Sequence, residues 1–211
     1  MDWRRFSATS WIALITTAVS LFVLFTNRDL EAAYLGGFVP ARISGLIDYS
    51  SVLSVPAWLT PVSAALLHAG LFHLGMNLLM FVYTGRETEK AIGPWGVLIL
   101  YLVGAYAAAA GQFLAGPHSQ IPMIGASGAA SAIVGAYSLL YGRSRAKAIG
   151  PIPARAVHVV WLAAAWVGIN LLTGLVFQAQ DVAIAIGAHI GGFLAGLALA
   201  KPLFAWNWRK A

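Results

Sequence analysis

The 211-residue chain contains no cysteine, which excludes a disulfide framework, thiol chemistry and a Cys-ligated metal site. Charge is scarce as well: Asp, Glu, Lys and Arg make up 9% of the residues, against roughly 25% in soluble chains. Hydrophobic residues reach 60%, so there is too little polar surface to cover a folded body. The bilayer is the expected solvent. The formal net charge is +6, but the basic residues stand in short clusters between apolar runs. That distribution reads as membrane orientation rather than a phosphate-binding surface, and no nucleic-acid partner is expected. Internal repeats and low-complexity segments are absent too.

The gaps between charges place the spans. Uncharged sequence from Phe6 to Asn27 predicts a first span over about 9–26. It reads as retained rather than cleaved, because no small-x-small site follows it promptly. Arg28, Asp29, Glu31, Arg42 and Asp48, scattered among Gly36, Gly37, Pro40, Pro56 and Pro61, predict a long loop over 27–70. Its apolar later part, Val52 to Leu67, is expected in the interface or folded back on the helices. The next charge after Asp48 is Arg86, which sets a second span at about 68–88. Lys90 and Arg143 bracket 52 uncharged residues, too many for one helix. Gly116-Pro117-His118-Ser119-Gln120-Ile121-Pro122 breaks them into spans over about 95–115 and 125–142. A basic loop with Arg143, Arg145, Lys147 and Arg155 precedes a fifth span over about 157–178. The sixth runs over about 182–200, followed by an interfacial tail with Trp206, Trp208, Arg209 and Lys210.

The expected fold is all-α: a polytopic bundle of six transmembrane helices forming a single domain, residues 1–211. Six spans put both termini on one side. That side holds Arg4, Arg5, Arg86, Lys90, Arg143, Arg145, Lys147, Arg155, Lys201, Arg209 and Lys210; the other holds Arg28 and Arg42. Eleven against two predicts cytoplasmic termini.

Polar side chains within the spans are costly and therefore raise a question of function. Ser127 lies seven residues past Gln120, about 10 Å in from the outer face at helical rise. His189 lies eight residues past Asp181, about 12 Å in from the same face. His73 and Asn77 precede Arg86 by thirteen and nine residues, about 20 and 14 Å above the cytoplasmic end. All four fall between the outer half and the middle of the membrane. Ser127, Ser131 and Gly135 form a small-xxx-small stripe, as do Gly187 with Gly191 and Gly192 with Gly196. Packing of the fourth and sixth spans through such stripes would bring Ser127 to His189, a serine beside a base. His73 and Asn77, at i and i+4, share a face and both donate hydrogen bonds, as does the Ser127 backbone N–H at a helix start.

Each residue alone has a plain reading. Serine packs helices, asparagine bonds across them, and a histidine relays protons or bonds a carbonyl. Their joint occurrence at one depth on three helices favours a site. His68, His73 and His189 are not expected to hold zinc, because His-Glu-x-x-His is missing and no carboxylate lies near them within a predicted span. His118 and His158 read as structural or solvated.

Taken in order, these residues resemble the rhomboid family of intramembrane serine proteases. The resemblance rests on His68-x4-His73-x3-Asn77, Gly125-x-Ser127-Gly128, and Ala188-His189 followed by Gly191-Gly192. The segment Gly85 to Gly93, with Glu89, resembles the family's Glu-containing close of the second span. The resemblance implies a Ser127–His189 catalytic dyad without an acidic third member. It also implies an oxyanion site around Ser127 and Gly128 with His73 and Asn77, and no cofactor or metal. Two departures stand out. Ser131 replaces the tyrosine that many bacterial members stack on the histidine, which leaves open what orients His189. Trp58 is followed by Leu59 where Trp-Arg is common. Without a seventh span or a soluble domain, the chain looks like the minimal bacterial form.

The expected activity is hydrolysis of a peptide bond in or near the transmembrane segment of single-span proteins. The expected location is the bacterial inner membrane, with the site opening to the outer face. The competing readings are an inactive relative that binds membrane helices and a small transporter. The first is disfavoured because both Ser127 and His189 are present, the second because inverted repeats are missing.

Overall fold

The computed structural model describes residues 7–49, 51–142, 146–178 and 184–209. Arg4, Arg5, Arg143, Arg145, Asp181, Val182 and Lys210, used above to set topology and depth, lie outside the described residues. The architecture is all-helical: α1 (Ala8–Phe25), α2 (Asp29–Gly36), α3 (Pro40–Ile43), α4 (Thr60–Ala64), α5 (Leu71–Ala115), α6 (Ser127–Tyr141), α7 (Ala154–Gln178) and α8 (Ile186–Trp208). Among the described residues, α1, α5, α7 and α8 are long and apolar enough to cross a membrane. Large apolar side chains such as Phe22, Phe25, Phe72, Leu114, Trp161 and Leu172 face outward. Lipid covers such a surface at no cost, and water does not.

The third predicted span and all but the first residues of the second lie in α5, which begins at Leu71. Its 45 residues would reach about 68 Å if straight, over twice a hydrocarbon core. It is not straight. Gly93 adopts φ 74° and ψ 167°, and Pro94 follows it. That backbone is open to glycine and strained for other residues. The chain reverses there: the rings of Phe81 and Tyr101, 20 residues apart, pack edge to face at 5.2 Å. In one continuous helix they would stand about 30 Å apart.

The reversal anchors one end of the bundle. Glu89 accepts from Ser7 Oγ (3.1 Å), Ala8 N (3.0 Å), Thr9 N (2.9 Å) and Thr9 Oγ1 (2.5 Å). A carboxylate thus meets the free N–H groups and the positive dipole end of α1. Asn207, near the end of α8, donates to Ala91 O (3.2 Å), and Tyr141, ending α6, donates to Glu87 O (2.8 Å). The start of α1 and the ends of α6 and α8 therefore share the reversal end. The starts of α6 and α8 lie at the opposite end.

Two expectations need amending. The predicted loop over 27–70 contains three short helices and a 3-10 turn at Ala57–Leu59. Asp29 and Glu31 sit in the first turn of α2, where the dipole favours them. The segment folds back on the bundle, with Thr60, Pro61, Ala64 and Leu67 buried. The predicted tail after residue 200 instead continues α8 through Pro202 to Trp208.

The core lies where α5, α6 and α8 meet. On α6, Gly128 to Ile133, Gly135 and Ala136 are buried, so the helix is covered nearly all round. Small residues set the spacing. A methyl group placed on Gly192 would lie 2.0 Å from Gly128 O, and one on Gly196 2.1 Å from Ala132 O. The glycine pairs of α8 divide between two partners: Gly192 and Gly196 face α6, whereas Gly187 and Gly191 face Gly111 and Ala107 of α5. Gly196→Ala must push backbone away and should cost about 1–3 kcal/mol. Gly75→Ala, with open space around it, should change stability by no more than about 1 kcal/mol. Thermal melts in one detergent check this; equal melting temperatures for the two variants would contradict close α6–α8 packing.

Candidate active site

The chain enters α6 through backbone held by several hydrogen bonds. Phe38 and Met123 exchange backbone hydrogen bonds (3.0 and 2.8 Å), and Gly125 N–H donates to Ala64 O (2.9 Å). Ala126 N–H donates to Nε2 of the buried His68 (3.3 Å). Nδ1 of the same ring lies 2.9 Å from Ser20 Oγ, whose own proton goes to Leu66 O (2.7 Å). The ring is therefore protonated on Nδ1 and accepts on Nε2, bracing the residue before Ser127. The resemblance carried His68 as a motif position; the structure gives it this bracing contact.

Ser127 opens α6. Its N–H and that of Gly128 belong to the first helical turn, which lacks i−4 partners within the helix. Gly128 itself is buried against Ala108 and Ala188. Ser127 Oγ lies 2.8 Å from His189 Nε2, a contact between the starts of α6 and α8.

His73 borders the same space. Ala69 N–H points to His73 Nδ1 at 3.4 Å, which leaves Nε2 to carry the proton of the neutral ring. A methyl group on Gly125 would lie 2.9 Å from His73 Nε2 and 3.8 Å from Ser127 Oγ. Gly125 is required there twice, by that contact and by its φ of 114°. Asn77 is buried on the next turn of α5, and its Nδ2 donates to His73 O (2.9 Å). One N–H of that amide is thereby used and the second is left over. Its Oδ1 is buried without a partner among the described residues. The structure thus joins Ser127 to His189 directly and sets His73 beside them, while the contact it gives Asn77 is to the backbone of its own helix. A cavity of about 10 Å³ adjoins Ser127, lined by Pro61, Ala65, Ala108, Gly125 and Ala188. That is about the space one water needs.

Two residues of α7 were not foreseen. Asn170 Oδ1 lies 2.6 Å from His189 Nδ1. Trp166 Nε1 donates to His189 O (3.1 Å), and its ring stacks on Phe193 at 4.8 Å. The predicted departure at Ser131 is explained from this side: Ser131 Oγ is turned to Ser127 O (2.7 Å), and His189 is held from α7 instead. A signal existed, since an asparagine inside an apolar span is costly unless bonded. What the sequence did not carry was which helix faces α7.

Residues 56–206 match the family model for the Rhomboid domain, so the chain belongs to the rhomboid family, and it is an integral membrane protein. It is 31% identical over 165 residues to the Rhomboid protease GlpG of Yersinia enterocolitica serotype O:8 / biotype 1B, covering 78% of this chain and 52% of that protein. It is 32% identical over 163 residues to the Rhomboid protease GlpG of Yersinia pestis (strain Pestoides F), covering 77% and 51%. The chain spans about half the length of the curated relatives it matches.

Proposed function

We propose that this chain is an intramembrane serine endopeptidase that cuts single-span membrane proteins with a Ser127–His189 pair. The observation that carries the reading is the 2.8 Å contact between Ser127 Oγ and His189 Nε2 inside an apolar bundle. Ser127 Oγ attacks the scissile carbonyl carbon as His189 Nε2 takes its proton. The negative oxygen of the tetrahedral intermediate is met by the N–H groups at Ser127 and Gly128, by His73 Nε2–H and by the second N–H of Asn77. His189 then returns its proton to the leaving amine, and water repeats the sequence on the acyl-enzyme. No cofactor enters these steps. A substrate helix hides its carbonyls in its own hydrogen bonds, so it must unwind at the cut; the family resemblance implies small residues there.

We read six crossings, formed by α1, the two arms of α5, α6, α7 and α8. The 15 residues of α6 cover about 22 Å. With Tyr141 at one interface, Ser127 stops about 8 Å short of the other side of a core roughly 30 Å thick. Water then reaches the serine from that nearer face. Arg86, Lys90 and Arg209 gather toward the opposite, reversal end, which supports cytoplasmic termini and an outward-opening site. The Yersinia relatives support a bacterial inner membrane.

Purified, folded Ser127→Ala should lose both cleavage of a reporter transmembrane substrate and labelling by a fluorophosphonate. Undiminished cleavage would remove the assignment. Asn77→Ala should lower kcat per titrated site by about 10²–10³ with little change in melting temperature, the cost typical of one lost oxyanion donor. Normal kcat per titrated site with a lowered melting temperature would make Asn77 an element of packing only. For orientation, the cysteine-free background makes labelling clean. Ser119→Cys should react with an impermeant maleimide on intact cells and Ala148→Cys should not; the reverse pattern would invert the topology.

A further inference from the structure

We infer that Asn170 is a positioning residue for His189, accepting the Nδ1 proton so that Nε2 presents its lone pair to Ser127. The inference rests on the protease reading above and adds a third member, carried by α7, to the pair on α6 and α8.

The hydrogen bonds fix every atom in the chain of contacts. Asn170 Nδ2 donates to Trp166 O at 2.9 Å, one turn back on its own helix. A flipped amide would set oxygen against that carbonyl, two acceptors facing one another. The oxygen of the amide therefore faces His189 Nδ1, at 2.6 Å. An amide oxygen only accepts, so Nδ1 bears the proton. In the neutral imidazole Nε2 is then unprotonated, and it is the atom 2.8 Å from Ser127 Oγ. This is the tautomer a general base needs. When His189 takes the serine proton, the bond to Asn170 becomes charge-assisted and strengthens with the developing imidazolium. An asparagine serves the same purpose in Cys–His–Asn proteases of unrelated fold.

The setting of Asn170 is also unlike that of a residue used to join helices generally. Over residues 154–172 of α7 it is the one buried side chain, at 5% exposure, on a helix whose other side chains are half-buried or exposed. Trp166, a turn earlier, holds the backbone carbonyl of the same histidine. Two polar groups of α7 thus converge on one residue of α8, one on its backbone and one on its ring. On the α6 side, Ser131 Oγ is committed to Ser127 O.

The groups hydrogen-bonded to the His189 ring are Ser127 from α6 and Asn170 from α7; His73 from α5 is its titratable electrostatic neighbour. The test uses the full chain in detergent, with Asn170→Leu, Asn170→Asp and Ser127→Ala. The rate of reporter cleavage is followed across pH, with a melt on each preparation. Asn170→Leu should lower kcat by about 10–100-fold, the worth of a hydrogen bond to a charged group, with KM within about twofold. The acid limb of its kcat/KM profile reports protonation of His189. Loss of an acceptor disfavours the imidazolium, so that limb should move to lower pH. Asn170→Asp should restore most of the rate, with the limb moved to higher pH because a carboxylate favours the imidazolium. Opposite displacements of the limb support the positioning role. An unmoved limb in Asn170→Asp overturns it, even if Asn170→Leu fails to fold, and so does a loss in Asn170→Leu that matches only a lowered melt. Ser127→Ala separates the two levels. A cleaving Ser127→Ala sinks the protease reading itself, whereas an inactive one beside wild-type behaviour of both Asn170 variants sinks only the role of Asn170.

Discussion

The structure depends on how closely α6 and α8 approach. With Gly128 and Ala132 on one helix and Gly192 and Gly196 on the other, carbonyl oxygens stand where side chains would otherwise be. In lipid there is little hydrophobic force between helices, so close van der Waals contact must hold them together. The same contact brings the first turn of α6 beside the first turn of α8, and a short serine and a histidine then span the remaining gap. One larger residue at the seam would separate the helices by more than a hydrogen bond tolerates. Packing and the candidate site are therefore the same feature seen at two heights along one helix pair.

Several polar groups at the two ends of the bundle are matched there. At the reversal end, Glu89 takes the free N–H groups of α1, and Asn207 reaches the bend before Gly93. At the other end, His68 holds the backbone of Ala126 while Ser20 holds His68. Each of these groups would cost several kcal/mol if left bare in hydrocarbon. Bonded, they become rigid, and rigidity at the entry to α6 places Ser127 without help from its own side chain. The proposed chemistry then draws on donors that the helix start leaves over, an economy available only because the preceding N–H groups are already used.

The contrast between α6 and α7 bears on the same point. The first is covered on nearly every face, whereas the second has Asn170 as its one buried side chain over residues 154–172 and bonds α8 through Trp166 and Asn170. A helix held by few contacts opens at lower free energy than one packed all round.

Much was legible in the sequence because the bilayer imposes simple rules. Charge gaps and proline breaks marked the spans, since hydrocarbon excludes both charge and unbonded backbone. The polar residues left inside, Ser127, His189, His73 and Asn77, marked the site for the same reason. Composition separated the second and third spans but could not show that the turn between them is set at Gly93, that residues 27–70 contain short helices, or that α8 continues to Trp208. Those depend on contacts between distant segments: Phe81 with Tyr101, Met123 with Phe38, Asn207 with Ala91. Asn170 is the clearest case. Its polarity inside an apolar span was visible to any reader of the sequence, but its partner was not. Helical periodicity gives the face a residue occupies on its own helix, whereas the rotation of α7 against α8, set by the packing of Trp166 on Phe193, decides that this face meets His189.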